Sequence, residues 1–222
     1  MLPRVLEPEV MDTAEEAAEY DAMDHGEVNR RFCDDLLALA PSPKHVVDVG
    51  TGTARIPIEL VGRVKARMKG VHVVAIDLAE HMLAVAKQNV DRAGFSAQIE
   101  LQKSDAKMSG LPRSAFDVVM SNSIVHHIPE PKRALADMLK LRKHGGLLFV
   151  RDLERPADDA AVHALVARYA GNETKKARDL FEASLRAALT VDEVIALLSP
   201  MGVPSSAVSR SSDRHWTIAF RA

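Results

Sequence analysis

The chain has 222 residues, 47% of them apolar, which suits the core of one α/β domain with an elaboration. Lys and Arg total 29 against 31 Asp and Glu, a net charge of −2. That balance offers no positive field for a polyphosphate backbone, so nucleic acid is not expected as the main partner. The single cysteine, Cys33, excludes an internal disulfide and a cysteine-rich metal site.

The opening stretch, MLPRVLEPEVMDTAEEAAEY, is acidic and lacks the basic and apolar regions of a signal peptide. No apolar run nears the roughly 20 residues that span a bilayer. A cytoplasmic protein without a membrane partner is expected. Residues 1–12 read as an irregular arm. Thr13 followed by Glu16 is a capping-box pattern that opens a short helix over 13–24. Residues 26–40 place Val28, Phe32, Leu36, Leu37 and Leu39 mostly on one helical face, and Pro41 and Pro43 stop that helix.

An alternation follows. Strand-like runs lie at 45–49, 71–76, 97–101, 116–121 and 146–150, with helical patterns at about 54–68, 79–93 and 131–143. Short apolar strands between amphipathic helices imply βαβ units and a parallel sheet covered on both faces. Right-handed crossovers then give a doubly wound α/β sheet. Residues 156–189 are helical in pattern and break the rhythm. They read as a cap inserted after the fifth strand, too short for a core of their own. Thr190 and Glu193 form a second capping box, and two β segments, SAVSR and HWTIAFRA, close the chain.

The chemistry concentrates in residues 45–54, HVVDVGTGTA. An apolar strand ends in an acid, and Gly50 and Gly52 follow. The dinucleotide pattern G-x-G-x-x-G fails because Arg55 stands at its third glycine, and the G-x-x-x-x-G-K-[ST] phosphate loop fails too. Asp48, two residues before the first glycine, would repel a pyrophosphate and suits a ligand carrying an ammonium or sulfonium.

These residues resemble the first motif of class I S-adenosylmethionine-dependent methyltransferases of the small-molecule type, acid-x-Gly-x-Gly-x-Gly. Asp48, Gly50 and Gly52 match it, and Ala54 stands at the usual third glycine. Three later features agree in order. Asp77 ends the second strand, where the family's acid binds the ribose hydroxyls; a carboxylate accepts two hydrogen bonds from a vicinal diol. Asp105, with Ala106 beside it, matches the acid near the adenine amine. FDVVMSNSIVHHI resembles the strand end bordering the transferred methyl, with Asn122 at its lip.

The resemblance implies S-adenosylmethionine as cofactor, leaving S-adenosylhomocysteine as product. Asp48, Gly50, Thr51, Gly52, Asp77, Leu78, Asp105, Ala106, Asn122 and Tyr20 would bind it. It also implies a seven-stranded, mostly parallel sheet with an antiparallel last strand. One methyltransferase domain over 1–222 is expected. It would comprise an N-terminal helical lid (1–43), a cofactor-binding core (44–155), the helical cap (156–189) and a C-terminal helix with strands (190–222). Tyr20 with Asp21 resembles the tyrosine–aspartate pair of the family's lids, and an aromatic ring favours a neighbouring sulfonium.

The acceptor side is less explicit. His126 and His127 follow the fourth strand, where the methyl should point, and histidine titrates near neutral pH. With Tyr20, Asp24 and His25 they are the candidate catalytic groups. The alternative for the histidines is an architectural role. Asn29, Arg30, Arg151 and Tyr169 are candidate acceptor contacts; Arg151 has the alternative of pairing internally with Asp152 or Glu154. No metal is expected, since adjacent residues on an extended chain point apart and no further ligand spacing presents itself.

The chain therefore reads as an enzyme moving a methyl group by in-line displacement to a small-molecule acceptor, as a monomer or homodimer. The rival is an S-adenosylmethionine-binding partner or sensor without transferase activity. A nicotinamide oxidoreductase is a third reading, opposed by the missing glycine.

Overall fold

A computed structural model of the chain describes residues 2–7, 10, 12–23, 26–65 and 70–221. Two short helices lead, α1 (Ala14–Ala22) and α2 (Gly26–Leu39). The alternating core follows: β1 (His45–Val49), α3 (Arg55–Val64), β2 (His72–Asp77), α4 (Glu80–Ala93), β3 (Ile99–Lys103), β4 (Phe116–Asn122), α5 (Pro131–Leu141) and β5 (Arg142–Leu153). The insertion is a pair of helices, α6 (Asp159–Ala170) and α7 (Lys175–Ala187). Helix α8 (Val191–Leu198) and strands β6 (Val208–Arg210) and β7 (His215–Phe220) complete the chain.

One seven-stranded sheet has the order β3-β2-β1-β4-β5-β7-β6. The first five strands in that order are mutually parallel, and β7 lies antiparallel between β5 and β6. This is the doubly wound architecture with a reversed last strand that the alternation and the resemblance imply. No helix of the described residues is long and apolar enough to cross a membrane.

Successive side chains on a strand point to opposite faces, so each apolar strand feeds two cores. Val46, Val118 and Phe149 face Phe32, Leu36 and Leu60 of α2 and α3. Val47, Val119 and Leu148 face Leu135 and Met138 of α5, together with Trp216 of β7. The continuous apolar runs of the sequence follow from this two-sided burial. Phe32 meets Phe149 edge-on, with ring centroids 5.0 Å apart, which fixes α2 across β5.

Among the strands, β3 and β5 differ most from the sequence reading. Strand β3 starts at Ile99, because the amides of Gln98 and Ile99 turn back onto the Phe95 carbonyl. Strand β5 extends beyond the apolar run 146–150 at both ends. Arg142 pairs with Phe116 across a bulge, and Leu153 pairs with His215. Ladder hydrogen bonds, which do not depend on side-chain polarity, set its length.

Both capping boxes are present. The hydroxyls of Thr13 and Thr190 accept from the Glu16 and Glu193 amides, and each glutamate reaches back to its cap amide. Helix α1 lies against α4, where Ala17, Ala79 and Met82 bury a small apolar contact beside Tyr20. The α6–α7 pair packs Val162 and Leu185 against Leu153 at the end of β5.

Candidate active site

The C-terminal ends of β1, β2, β3 and β4 open onto one cleft. The space at its mouth and floor together amounts to about 830 Å³, open solvent included. Ligands of open α/β sheets bind at this edge, where the strand order reverses between β1 and β4. Gly50 and Gly52 form its floor; Asp77, Leu78, Ala79 and Met82 form one wall. Asp105 and Ala106 stand at the far end, and Asn122, Ser123, Ile124, His127 and Ile128 form the other wall. Tyr20 of α1 and Val10 of the arm cover it. A smaller adjoining cavity is lined by Tyr20, Asn29, Asp48, Thr51, Arg55 and Asn122.

The glycine turn is built by backbone geometry. Gly50 and Gly52 have φ of +75° and +55°, in the left-handed region that suits glycine. The amides of Gly50 and Thr51 both donate to the Ile76 carbonyl, at 2.8 and 2.9 Å. Asp77 locks the turn from the next strand. Its Oδ2 accepts from the Gly52 amide at 2.7 Å, and its Oδ1 accepts from the Ala79 amide at 2.9 Å, at the start of α4. Burial holds the Asp77 carboxyl above its ordinary range, against the opposing pull of those amides.

Ala54, at the third-glycine position, also takes the left-handed conformation, with φ of 61°. The geometry that favours glycine is retained although the residue is alanine. Ala54→Gly is therefore expected to leave stability within about 1 kcal/mol of wild type. Relief of roughly 1 kcal/mol of backbone strain offsets about 0.8 kcal/mol of lost methyl burial. A urea midpoint lowered by the equivalent of more than about 2 kcal/mol would contradict that balance.

Asp48 is 2% exposed, and burial pushes its carboxyl up to about 7. The neighbouring Thr51 hydroxyl opposes that rise and the Asp77 charge adds to it. Tyr20 approaches the turn closely: a Cβ added at Gly52 would lie 3.6 Å from its ring. Helix α1 is clamped there by Asp21, which takes a bidentate pair from Arg55 at 2.8 and 2.7 Å and a bond from Asn89 at 2.8 Å.

Several expected roles need correction. Burial, with Asp77 and Asp48 nearby, pushes the Tyr20 phenol up to about 12, which keeps it protonated near neutral pH. His126 is 3% exposed and lies behind the cleft wall, outside the lining. Its Nδ1 lies 2.5 Å from Asp152 Oδ1, and the other Asp152 oxygen accepts from the Val125 amide at 2.5 Å. Burial works against the imidazolium, but the Asp152 charge prevails and holds His126 above its ordinary value. Of the two rings only His127 lines the cleft.

Arg151 is buried away from the cleft. It donates to Thr217 Oγ1 at 2.9 Å and pairs with Asp35 at 2.7 Å, while lying near the Phe32 and Phe149 rings. It pairs with neither Asp152 nor Glu154, because Asp152 points to the opposite face of β5. Tyr169 bonds Asp213 at 2.6 Å beneath the Arg214 guanidinium, also outside the lining. Arg30 is exposed on α2 and lines neither cavity, whereas Asn29 lines the smaller one. Asp24 and His25 lie outside the described residues.

The insertion contributes no described residue to the cleft lining. Instead it holds the N-terminal arm. Arg4 Nε donates to the Ala187 carbonyl at 2.6 Å, and the Val5 amide donates to the Arg186 carbonyl at 3.1 Å. Sequence reasoning missed Val10 on that arm, which carries no periodicity. It also missed Ala79, Met82, Ile124 and Ile128. Their signal was available, since each lies within a few residues of a motif position.

Acids and glycines gathered at four parallel strand ends define an α/β protein with a ligand-sized cleft at the switch point of its sheet. A family of methyltransferase domains matches residues 41–201. The demethylmenaquinone methyltransferase of Thermus thermophilus is 31% identical over 132 residues, 60% of this chain and 56% of that protein. The phosphatidylethanolamine N-methyltransferase of Cereibacter sphaeroides is 32% identical over 126 residues, 56% of this chain and 59% of that protein. The match thus spans a little more than half the length of these relatives. A methyltransferase structure from Aquifex aeolicus, described as SAM-dependent, superposes with a TM-score of 0.68 at 20% identity, covering 94% of this chain and 98% of that one. The chain belongs to the methyltransferase-domain family.

Proposed function

We propose that the chain transfers the methyl group of S-adenosylmethionine to a small-molecule acceptor. The observation that carries this reading is the convergence of Asp48, Gly50, Asp77, Asp105 and Asn122 on two cavities at the strand ends that share Tyr20, Gly50 and Asn122. Asp77 binds the ribose diol through the lone pairs its two backbone bonds leave free. Asp105 and Ala106 meet the adenine, with Leu78 beside it. Gly50, Thr51, Gly52 and Asn122 surround the amino-acid end near Asp48, and the Tyr20 ring closes over it.

A sulfonium already activates its methyl group, so the protein chiefly supplies alignment and exclusion of water. His127, the ring on the cleft wall, takes a proton from the acceptor or holds an anionic one. Asn29 borders the acceptor approach. The protein acts in the cytoplasm as a monomer or homodimer, without nucleic acid or a membrane.

The test is calorimetry with S-adenosylmethionine and NAD, followed by an acceptor screen that reads S-adenosylhomocysteine release over thiols, amines, carboxylates and phenols. Binding of NAD alone would overturn the reading. Tight S-adenosylmethionine binding with no release on any acceptor would leave a binding protein.

Asp48 makes cofactor affinity depend on pH. A cation beside it favours the carboxylate, whereas the free protein keeps the acid protonated below about 7. The S-adenosylmethionine Kd is expected to rise by up to about tenfold per unit as pH falls below that point. The effect on stability has the opposite sign. The folded value is raised from the ordinary 3.8 to about 7, so this group's contribution is full below the lower value and is lost as pH rises through the upper one. Asp48→Asn should remove both dependences, weakening binding at pH 8 while making the free protein more stable there. Calorimetry and thermal unfolding from pH 5 to 8 measure them; identical pH profiles for the two proteins would refute the assignment.

A further inference from the structure

The N-terminal arm brings Glu7 against the two histidines that follow β4. Glu7 Oε1 lies 3.1 Å from His127 Nδ1 and 3.6 Å from His126 Nε2. The three ligand atoms all lie within 4.8 Å of one another. The expectation of no metal rested on an extended chain, yet residues Val125–His127 form a 3-10 turn. That turn brings the two rings to 4.1 Å between centroids. The third candidate ligand is far away in sequence, where no spacing rule would find it.

We propose that Glu7, His126 and His127 bind a divalent first-row transition cation. Three observations converge. The first is the proton on His126. A carboxylate only accepts, so the ring donates Nδ1–H to Asp152 Oδ1, which leaves Nε2, facing Glu7, as the nitrogen that would ligate once a cation displaces any proton there. A carboxylate behind a ligating histidine is the usual support of such a site, fixing tautomer and ring orientation.

The second is the state of the facing atoms. Glu7 Oε1 and His127 Nδ1 are both buried, and despite their 3.1 Å separation neither has an aligned hydrogen-bond partner among the described residues. The Glu7 side chain is only 9% exposed. One proton can satisfy one such pair, whereas a cation satisfies three converging lone pairs. The third is spacing. Bonds of about 2.0–2.2 Å place neighbouring ligand atoms roughly 3–3.5 Å apart, close to the two separations measured to Glu7. Two imidazoles and one carboxylate suit Zn²⁺, Co²⁺ or Fe²⁺ better than Mg²⁺ or Ca²⁺.

Charge permits it. Glu7 and Asp152 are two anions against the nearby Arg4, whose guanidinium is engaged by the carbonyls of His126, Ile128 and Ala187. Because His127 also lines the cleft, a cation here would border the methyl acceptor and could polarise its oxygen or sulfur. That use rests on the proposed methyl transfer; the cation site does not.

The test is titration of the purified, tag-free full chain with Zn²⁺ by calorimetry and with Co²⁺ by visible absorption. One cation per chain is expected, with Co²⁺ d–d bands of nitrogen and oxygen ligation. Glu7→Gln and His127→Ala should each weaken Zn²⁺ binding by about a hundredfold or more, and Glu7→Gln should leave S-adenosylmethionine binding unchanged, which also shows that it folds. No stoichiometric uptake by wild type, or unchanged affinity in both variants, overturns the site. Cation binding without S-adenosylmethionine binding would sink the transfer reading alone.

Discussion

Gly50→Ala is expected to weaken S-adenosylmethionine binding by about a hundredfold and to lower stability. A Cβ built there would lie 2.3 Å from Ile124 Cγ2 and 2.7 Å from Cδ1, on a backbone with φ of +75°. The left-handed conformation costs alanine about 1–2 kcal/mol, and overpacking adds roughly 1–3 kcal/mol. Neither the turn nor Ile124 has an easy retreat. The Gly50 and Thr51 amides are bonded to the Ile76 carbonyl, and Ile124 itself lines the cleft. Moving Ile124 aside therefore fills the cleft. Gly94→Ala is the control. Gly94 has φ of +71° but nothing within 4 Å of its added Cβ, and it lies outside the cleft lining. That variant should lose about 1 kcal/mol of stability and keep its cofactor Kd. Calorimetry and urea unfolding of both separate the clash from backbone strain; equal cofactor affinities in the two variants would contradict the argument.

Asp77→Ala should be of comparable severity. Each carboxylate oxygen holds a backbone amide, Gly52 on the glycine turn and Ala79 at the start of α4. Removal leaves both donors without their acceptor, at about 1–3 kcal/mol each where burial is complete. It also releases the turn from β2. The expected outcome is a cofactor affinity reduced by at least about a hundredfold and a destabilisation of roughly 3 kcal/mol. Asp77→Asn keeps one carbonyl acceptor and should fall between. An alanine variant that binds S-adenosylmethionine within twofold of wild type would show that Asp77 is neither a clamp nor a ligand group.

Much of the proposed cofactor side was legible along the chain. Asp48, Gly50, Gly52, Asp77, Asp105 and Asn122 each sit where a parallel strand stops. Strand ends are marked locally by the change from apolar runs to acids and glycines. Parallel pairing then brings those ends to one edge without further information. The acceptor side was less legible. His126 and His127 are adjacent, yet one lies behind the cleft wall against Asp152 and the other lines the cleft. Arg151 and Asp152 are adjacent too, and the pleat sends one toward Asp35 and the other toward His126. Sequence neighbours with opposite orientations cannot be told apart until the packing on each sheet face is known.

By itself the sequence determined the α/β class, both capping boxes, the glycine turn and the methyltransferase family, because these depend on short-range patterns that repeat at fixed spacing. Only the tertiary structure decided that Ala54 keeps a glycine-like φ, that Asp77 clamps the turn while facing the cleft, and that α1 closes over Gly52. It alone placed Glu7 beside His126 and His127. An arm without periodicity can be positioned only by its partners. Here those partners are the backbone carbonyls of α7 and of the turn after β4, which Arg4 bonds.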